Sequence, residues 1–126
     1  MITIDSDVLI EILDKKSDKG DEALKQILQS GEEISTTVIS LHEILYGLHK
    51  YGKPVKEILL LPILNYTKKD AVLSSKIELE SEERGNPVHR TDAMIAAITM
   101  NNGGKLYTFD LKHFNPLKAL GLKLFP

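Results

Sequence analysis

The chain opens with the stretch Met1–Ile10, MITIDSDVLI, and this stretch decides the fold class. Apolar residues alternate with polar ones as far as Asp5, which predicts a short strand. Ser6 and Asp7 are residue types that favour the start of a helix, and apolar residues then recur at helical spacing. A strand that passes through an acidic turn into a helix indicates an α/β protein with a carboxylate at a strand end.

The same alternation of strand and helix patterns continues to the end of the chain. Strands are predicted over Met1–Asp5, Glu33–Thr37, Ile63–Tyr66, Lys105–Phe109 and Leu122–Phe125. Helices are predicted from Ser6, over Asp21–Gln29 and Ser40–Lys50, briefly from Pro54, and over Asp70–Arg84 and Arg90–Asn101. The helix over Asp21–Gln29 is predicted to bury the stripe Ala23, Leu24, Ile27 and Leu28. We therefore expect one α/β domain over residues 1–126, with three α/β/α layers and a central, mainly parallel sheet of four to five strands.

Composition narrows the class of protein. The 126 residues are 42% hydrophobic and 27% charged, which is ordinary for a soluble globular domain. The sequence contains no cysteine, which excludes a disulfide framework and a thiol nucleophile and is consistent with a cytoplasmic protein. It contains no signal-peptide pattern and no apolar run long enough for a membrane span, so no membrane association is expected.

The formal net charge of −2 indicates no strongly basic face. Any attraction to nucleic acid must come from local lysine clusters or from bound metal. The candidate clusters are Lys15, Lys16 and Lys19, then Lys50, Lys53 and Lys56, and finally Lys68 with Lys69. Ordinary solvated surface lysines are the competing interpretation for each of them.

Four acidic residues stand at positions where an α/β protein builds its active site. Asp5 and Asp110 each follow a predicted strand, and Asp92 lies in the first turn of a strongly apolar helix. Glu43 lies in a helix otherwise dense in apolar side chains, where a buried carboxylate is costly unless paired or bound to metal. Thr108, two residues before Asp110, is placed to orient it.

Each acid also has a plainer interpretation. Asp5 and Asp92 can serve a helix start, Asp110 can belong to a turn, and Glu43 can flank the apolar stripe and reach solvent. The pattern also leaves open whether Asp5 or Asp7 points into a site, because Asp7 falls in the first helical turn.

Taken together, the acids indicate a divalent cation site. Converging carboxylates repel one another, so they need a cation or shifted pKa values. Oxygen ligands without cysteine or histidine favour Mg²⁺ or Mn²⁺ over zinc, and such a site suits phosphodiester hydrolysis. The histidines form no alternative metal-binding motif, because His42-Glu43 lacks the second histidine of a zinc protease. His89 and His113 are interpreted as surface or loop residues, and His113 is a candidate phosphate contact.

Four motifs in order resemble those of PIN-domain endoribonucleases, most closely the VapC-type toxins of bacterial and archaeal toxin–antitoxin pairs. The motifs are Ile4–Ile10 (IDSDVLI), Ser40–Gly47 (SLHEILYG), Thr91–Ala97 (TDAMIAA) and Thr108-Phe109-Asp110 followed by Phe114. The resemblance spans the whole chain. Asp7 departs from it, because the family more often has Asn at this turn, and it adds negative charge beside the site.

The resemblance implies a function. Asp5, Glu43, Asp92 and Asp110 would form the catalytic, metal-binding cluster, with Ser6 in support and Mg²⁺ or Mn²⁺ as cofactor. The substrate would be single-stranded RNA, cut to leave a 5′-phosphate and a 3′-hydroxyl. The implied partners are a cognate antitoxin and a second copy of the chain in a homodimer.

Two other functions remain open on the sequence. The first is a PIN-like scaffold that binds RNA or protein without cutting it. The second is a phosphatase of the haloacid dehalogenase type, because Asp5-Ser6-Asp7 matches its Asp-x-Asp opening with Asp5 as nucleophile. Thr91-Asp92 lacks the glycine that this second family requires before its downstream aspartate.

Overall fold

Five short strands form one sheet in the computed structural model, which describes every residue from Met1 to Pro126. The strands are β1 (Ile2–Ile4), β2 (Ile34–Thr37), β3 (Ile63–Leu64), β4 (Lys105–Tyr107) and β5 (Leu124–Phe125). They lie in the order β3-β2-β1-β4-β5, and every neighbouring pair is parallel. The predicted central, parallel sheet is confirmed, with five strands.

Helices connect the strands and cover both faces of the sheet. They are α1 (Ser6–Leu9), α2 (Asp18–Ser30), α3 (Val38–Lys50), α4 (Lys56–Leu59), α5 (Lys68–Glu83), α6 (Arg90–Asn101) and α7 (Leu111–Phe114). A π-helical segment, Ile10–Lys15, continues α1, and a 3₁₀ segment, Asn115–Leu120, continues α7.

Two apolar cores lie on opposite faces of the sheet. Ile2 and Ile4 of β1 pack with α1, α2, α3 and α4 on one face, while Leu106 of β4 packs with α5, α6 and α7 on the other. Thr3, between the two isoleucines, is fully buried and pairs in register with Leu106. Successive side chains of a strand point to opposite faces of the sheet. The alternation of apolar, polar and apolar residues in β1 therefore occurs in a strand that is buried on both faces.

Several predicted boundaries of helices and strands are wrong, and only two of the four residues in the predicted buried stripe of the second helix are buried. The second helix begins at Asp18 rather than Asp21, because Ser17 caps it by accepting the N–H of Gly20. Leu24 and Leu28 are 40% and 70% exposed, so Ala23 and Ile27 alone of the stripe are buried. β4 ends at Tyr107 instead of Phe109.

Gly20 sits where two segments approach most closely. A Cβ atom at this position would lie 2.1 Å from the backbone oxygen of Glu11, in the π-helical segment. No side chain fits there, so α2 can pack against the π-helical segment only through a glycine.

No helix of this structure combines the length and the apolar character that crossing a membrane requires.

Candidate metal centre

The carboxyl ends of β1 and β4 meet at the centre of the sheet. In the sheet, β2 and β3 lie on one side of β1, and β4 and β5 lie on the other side. The strand order therefore reverses between β1 and β4. Such a switch point opens a crevice at the carboxyl edge of a parallel sheet. Asp5 follows β1 and Asp110 lies three residues after β4, which brings both predicted strand-end acids to this crevice.

Asp5 is the most enclosed of the acids. Its side chain is 6% exposed, and its Oδ1 accepts hydrogen bonds from the Ser6 N–H at 2.8 Å and the Ser40 hydroxyl at 3.3 Å. Its Oδ2 accepts the Thr108 hydroxyl at 2.8 Å. Asp5 also caps α1, so the same carboxylate begins a helix and enters the crevice. Asp5 therefore faces Ser40 and Thr108 at the strand ends.

Asp7 has a different task on the same turn. Its Oδ2 accepts the backbone N–H of Phe109 at 3.1 Å and so ties α1 to the loop after β4. Its Oδ1 is buried and has no hydrogen-bond partner within the chain. Burial, with the charge of Asp5 second, raises the pKa of Asp7 to about 6.

Thr108 links the two strand-end acids. Its hydroxyl donates a hydrogen bond to Asp5 and accepts one from the Asp110 N–H at 3.0 Å, so it acts as both donor and acceptor. The Thr108 hydroxyl contacts the backbone of Asp110 and the side chain of Asp5, so its predicted role in orienting the Asp110 side chain stays a prediction. Asp110 in turn caps α7 and accepts the His113 N–H at 3.4 Å.

Glu43 reaches the crevice from α3. The residue as a whole is exposed, which agrees with the interpretation that Glu43 flanks the apolar stripe and reaches solvent; the buried residues of α3 are Ser40 and Ile44. The carboxylate nevertheless points toward the other acids, and Oε1 accepts the Ser6 hydroxyl at 3.5 Å. Desolvation, then the charges of Asp5 and Asp92, raise the pKa of Glu43 to about 7.

Asp92 lies in the first turn of α6, which is buried as predicted. Desolvation, followed by the charges of Asp5 and Asp110, raises the pKa of Asp92, and these charge effects place the predicted acids in one electrostatic cluster. Burial also raises the pKa of Asp5, against three hydrogen bonds that lower it. In the metal-free protein this cluster therefore holds protons more tightly than isolated carboxylates do.

Two contributors to the crevice were missed in the sequence. Ser40, in the first turn of α3, donates to Asp5 and also accepts the Thr37 hydroxyl at 3.2 Å. His113 was interpreted as a surface or loop residue and a candidate phosphate contact; its side chain is 41% exposed and lies beside Asp92 and Asp110, so that one ligand atom from each of the three lies within 4.8 Å of the others. His89 is exposed and packs edge-on against the His113 ring at 5.3 Å between centroids.

The donor set suits a divalent cation. Carboxylates that raise one another's pKa are favourably neutralised by a cation, and the unpartnered buried Oδ1 of Asp7 is a further free oxygen at this end of the sheet. The residues that could hold the ion are Asp5, Glu43, Asp92, Asp110 and His113.

Comparison with known proteins gives the chain a family. The sequence model of the PIN domain matches residues 2–117. No curated protein matches the chain significantly. The fold and crevice define a parallel α/β protein with an acidic pocket at its switch point, and the chain belongs to the PIN-domain family, whose members are nucleases.

Solved structures with the same fold include components of toxin–antitoxin systems. VapBC2 from Rickettsia felis, bound to a promoter DNA fragment, is 23% identical with a TM-score of 0.79, and the match covers all of both chains. DNA-bound VapBC from Salmonella typhimurium is 22% identical with a TM-score of 0.79, over 98% of this chain and 96% of that one. VapC20 from Mycobacterium tuberculosis, a toxin that cleaves the sarcin–ricin loop, is 16% identical with a TM-score of 0.66 over both whole chains.

Proposed function

We propose that the chain is a Mg²⁺- or Mn²⁺-dependent endoribonuclease that hydrolyses phosphodiester bonds in single-stranded RNA, and that it is the toxin of a toxin–antitoxin pair. The observation that carries the proposal is the meeting of acids from four elements at the switch point of a PIN-domain sheet. The proposed catalytic and metal-binding residues are Asp5, Glu43, Asp92 and Asp110, supported by Ser6, Asp7 and Thr108.

The residues around the cluster hold the acids in place before substrate arrives. Thr108 and Ser40 fix the Asp5 carboxylate, while Asp92 is carried by the rigid, buried helix α6. In the metal-free protein the carboxyl group of Glu43 takes up or releases a proton near neutral pH. When bound, a divalent cation supplies an activated water and offsets charge on the phosphate in the transition state.

The haloacid dehalogenase alternative is less favoured at this site. Both oxygens of Asp5 already accept hydrogen bonds and the residue is buried, which leaves a poor nucleophile. Labelling with a phosphoryl donor followed by a search for an aspartyl-phosphate should therefore detect none.

Cleavage of RNA by purified protein tests the proposal. Asp5→Asn, Glu43→Gln and Asp92→Asn should each reduce Mn²⁺-dependent cleavage of a labelled single-stranded RNA by at least about 100-fold. Asp110→Asn should be milder, because an amide oxygen can still accept from His113 and face the cluster. Exposed acids provide matched controls: Asp21→Asn and Glu83→Gln should cleave like the unmodified chain.

Circular dichroism establishes that each variant is folded. Full cleavage by two of the first three variants would refute the site, and cleavage that persists in EDTA would refute the metal requirement.

A groove beside the cluster supports the proposed antitoxin partner. It encloses about 730 Å³ between the π-helical segment, α3 and α4, and Glu43 lines one end of it. Its floor is apolar, with Leu9, Leu13 and Leu48 among the lining residues, and its rim carries Lys15, Lys16, Lys53 and Lys56 together with Asp14 and Glu57. Mixed charges around an apolar floor suit an amphipathic helix better than a bare phosphate backbone. We propose that a helix of the antitoxin docks here.

Co-expression tests the partner. Where a small open reading frame adjoins the gene, its product should co-purify with this chain; Leu48→Glu should reduce co-purification while Leu79→Glu, on the exposed side of α5, should not. Equal co-purification of both variants would place the partner elsewhere.

Light scattering of the purified chain tests the proposed homodimer, and fractionation of producing cells tests the proposed cytoplasmic location.

A further inference from the structure

His113 is the one histidine that the structure groups with acids of the crevice as a candidate metal ligand. It lies in α7, and one of its ring nitrogens groups with carboxylate oxygens of Asp92 and Asp110 within 4.8 Å. All other candidate ligands at this edge of the sheet are oxygen atoms. The imidazole therefore changes the chemistry of the donor set, since the four acids alone form an all-oxygen site.

The structure holds the His113 ring in a fixed place. Nδ1 lies 2.8 Å from both Oδ1 and Oδ2 of Asp110, and the His113 N–H also points to Asp110. The ring of His89 packs against the other side of His113, edge to face. One ring nitrogen is thus engaged by a carboxylate while no hydrogen bond within the chain engages Nε2, and metal-ligating histidines are usually held in this way.

Ligand type governs which divalent ion a site selects. Mg²⁺ prefers oxygen ligands and keeps its waters, whereas imidazole favours first-row transition ions. From this geometry we infer that His113 is a metal ligand which, with Asp92 and Asp110, makes this chain select Mn²⁺ over Mg²⁺. The inference rests on the proposed function only in that the same pocket binds the ion, and it concerns binding and not RNA cleavage.

Spectroscopy and calorimetry of the purified full chain test the inference without any RNA. Pulsed electron paramagnetic resonance of bound Mn²⁺ should show coupling to an imidazole nitrogen. Titration with MnCl₂ and MgCl₂ separately should give a clear preference for Mn²⁺, and His113→Asn should abolish the nitrogen coupling and reduce that preference by about 10-fold. His89→Asn is the matched control, because it removes the neighbouring imidazole that is outside the ligand group; it should keep both properties.

The outcomes separate this inference from the proposed function. No nitrogen coupling in the unmodified chain, coupling that survives in His113→Asn, or an unchanged ion preference would overturn the metal-ligand role. If His113→Asn does not fold, His113→Gln and the spectrum of the unmodified chain show whether His113 is a metal ligand. Nitrogen-coupled Mn²⁺ in a chain that cuts no RNA would sustain the inference and refute the nuclease. Cleavage without nitrogen coupling would do the reverse.

Discussion

At the scale of single residues, Thr108 is the side chain on which the geometry of the cluster depends most directly. Its hydroxyl is buried, donates to Asp5 and accepts from the Asp110 backbone. Thr108→Val keeps the shape of the side chain but leaves one buried acceptor and one buried donor without a partner. We expect a loss of about 1–3 kcal/mol in the free energy of unfolding and about 10-fold or more in Mn²⁺ affinity.

Urea unfolding and calorimetric titration measure these two quantities. Thr108→Ser is the matched variant, because it restores the hydroxyl while removing the methyl group. Unchanged Mn²⁺ affinity in Thr108→Val would show that the hydroxyl does not position the acids.

The buried carboxylate of Asp7 destabilises the folded state of the metal-free protein. Its Oδ2 binds the Phe109 N–H, but its Oδ1 is buried without a partner and its pKa is raised to about 6. Asp7→Asn keeps an acceptor for Phe109 and removes the charge. In EDTA at pH 7.5 it should stabilise the fold by on the order of 1–3 kcal/mol, and at pH 5 by roughly half as much. Thermal melting at both pH values checks this, and an equal gain at both would contradict the electrostatic cause.

At the scale of elements, Gly20 controls how α2 packs on the π-helical segment. A methyl group there meets the Glu11 backbone oxygen, which no side-chain rotation can relieve. Gly20→Ala should therefore reduce the free energy of unfolding by roughly 2–4 kcal/mol. Gly47→Ala in α3 is the contrasting case, because nothing lies within 4 Å and alanine is the better helix former; it should stabilise by up to about 1 kcal/mol. Chemical denaturation of both variants measures the difference.

The elements also show how far the sequence could be interpreted. Asp5 and Asp110 were placed correctly because strand ends in a parallel sheet meet at one edge, whatever the details of packing. Helix α6 was predictable because a long apolar run followed by Asn-Gly-Gly has few alternatives. The α7–3₁₀ stretch was not predicted, since Pro116 and a short apolar pattern give no helical period.

Tertiary contacts account for the rest of what was missed. Ser40 and His113 enter the crevice because α3 begins directly after β2 and α7 begins shortly after β4, and their residue types alone do not show which strand ends meet. Leu24 and Leu28 follow a helical spacing, yet the face they occupy finds no neighbour within the chain. Periodicity reports that a helix has an apolar face and cannot report what covers it.

At the scale of the whole molecule, the acidic cluster makes stability depend on pH and metal together. The pKa values of Asp5, Asp7, Glu43 and Asp92 are raised in the folded chain, so these four residues bind more protons in the folded chain than in the unfolded one. Their contribution to the free energy of unfolding of the metal-free protein therefore falls as pH rises, from its full value below the ordinary carboxylate pKa of roughly 4 through about 6 to 7.

Melting curves test this linkage. In EDTA the melting temperature should be higher at pH 5 than at pH 7.5, once the variant Asp5→Asn is used to correct for titration elsewhere in the chain. Adding Mn²⁺ at pH 7.5 should raise it, and adding Mn²⁺ at pH 5 should raise it less, because protons and the ion compete for the same oxygens. A melting temperature that rises with pH in EDTA would contradict the raised pKa values.

The hydrogen bond between Thr108 and Asp5 joins residues 103 positions apart in the chain. β1 is made first during synthesis, but one of its two neighbours in the sheet is β4, which emerges near the end. A chain still being translated therefore has Asp5 and Glu43 outside the ribosome long before Asp92 and Asp110 can join them. For a protein proposed to cut RNA, this topology leaves the proposed pocket incomplete until Asp110 has been synthesised, so the four acids cannot act together before that point.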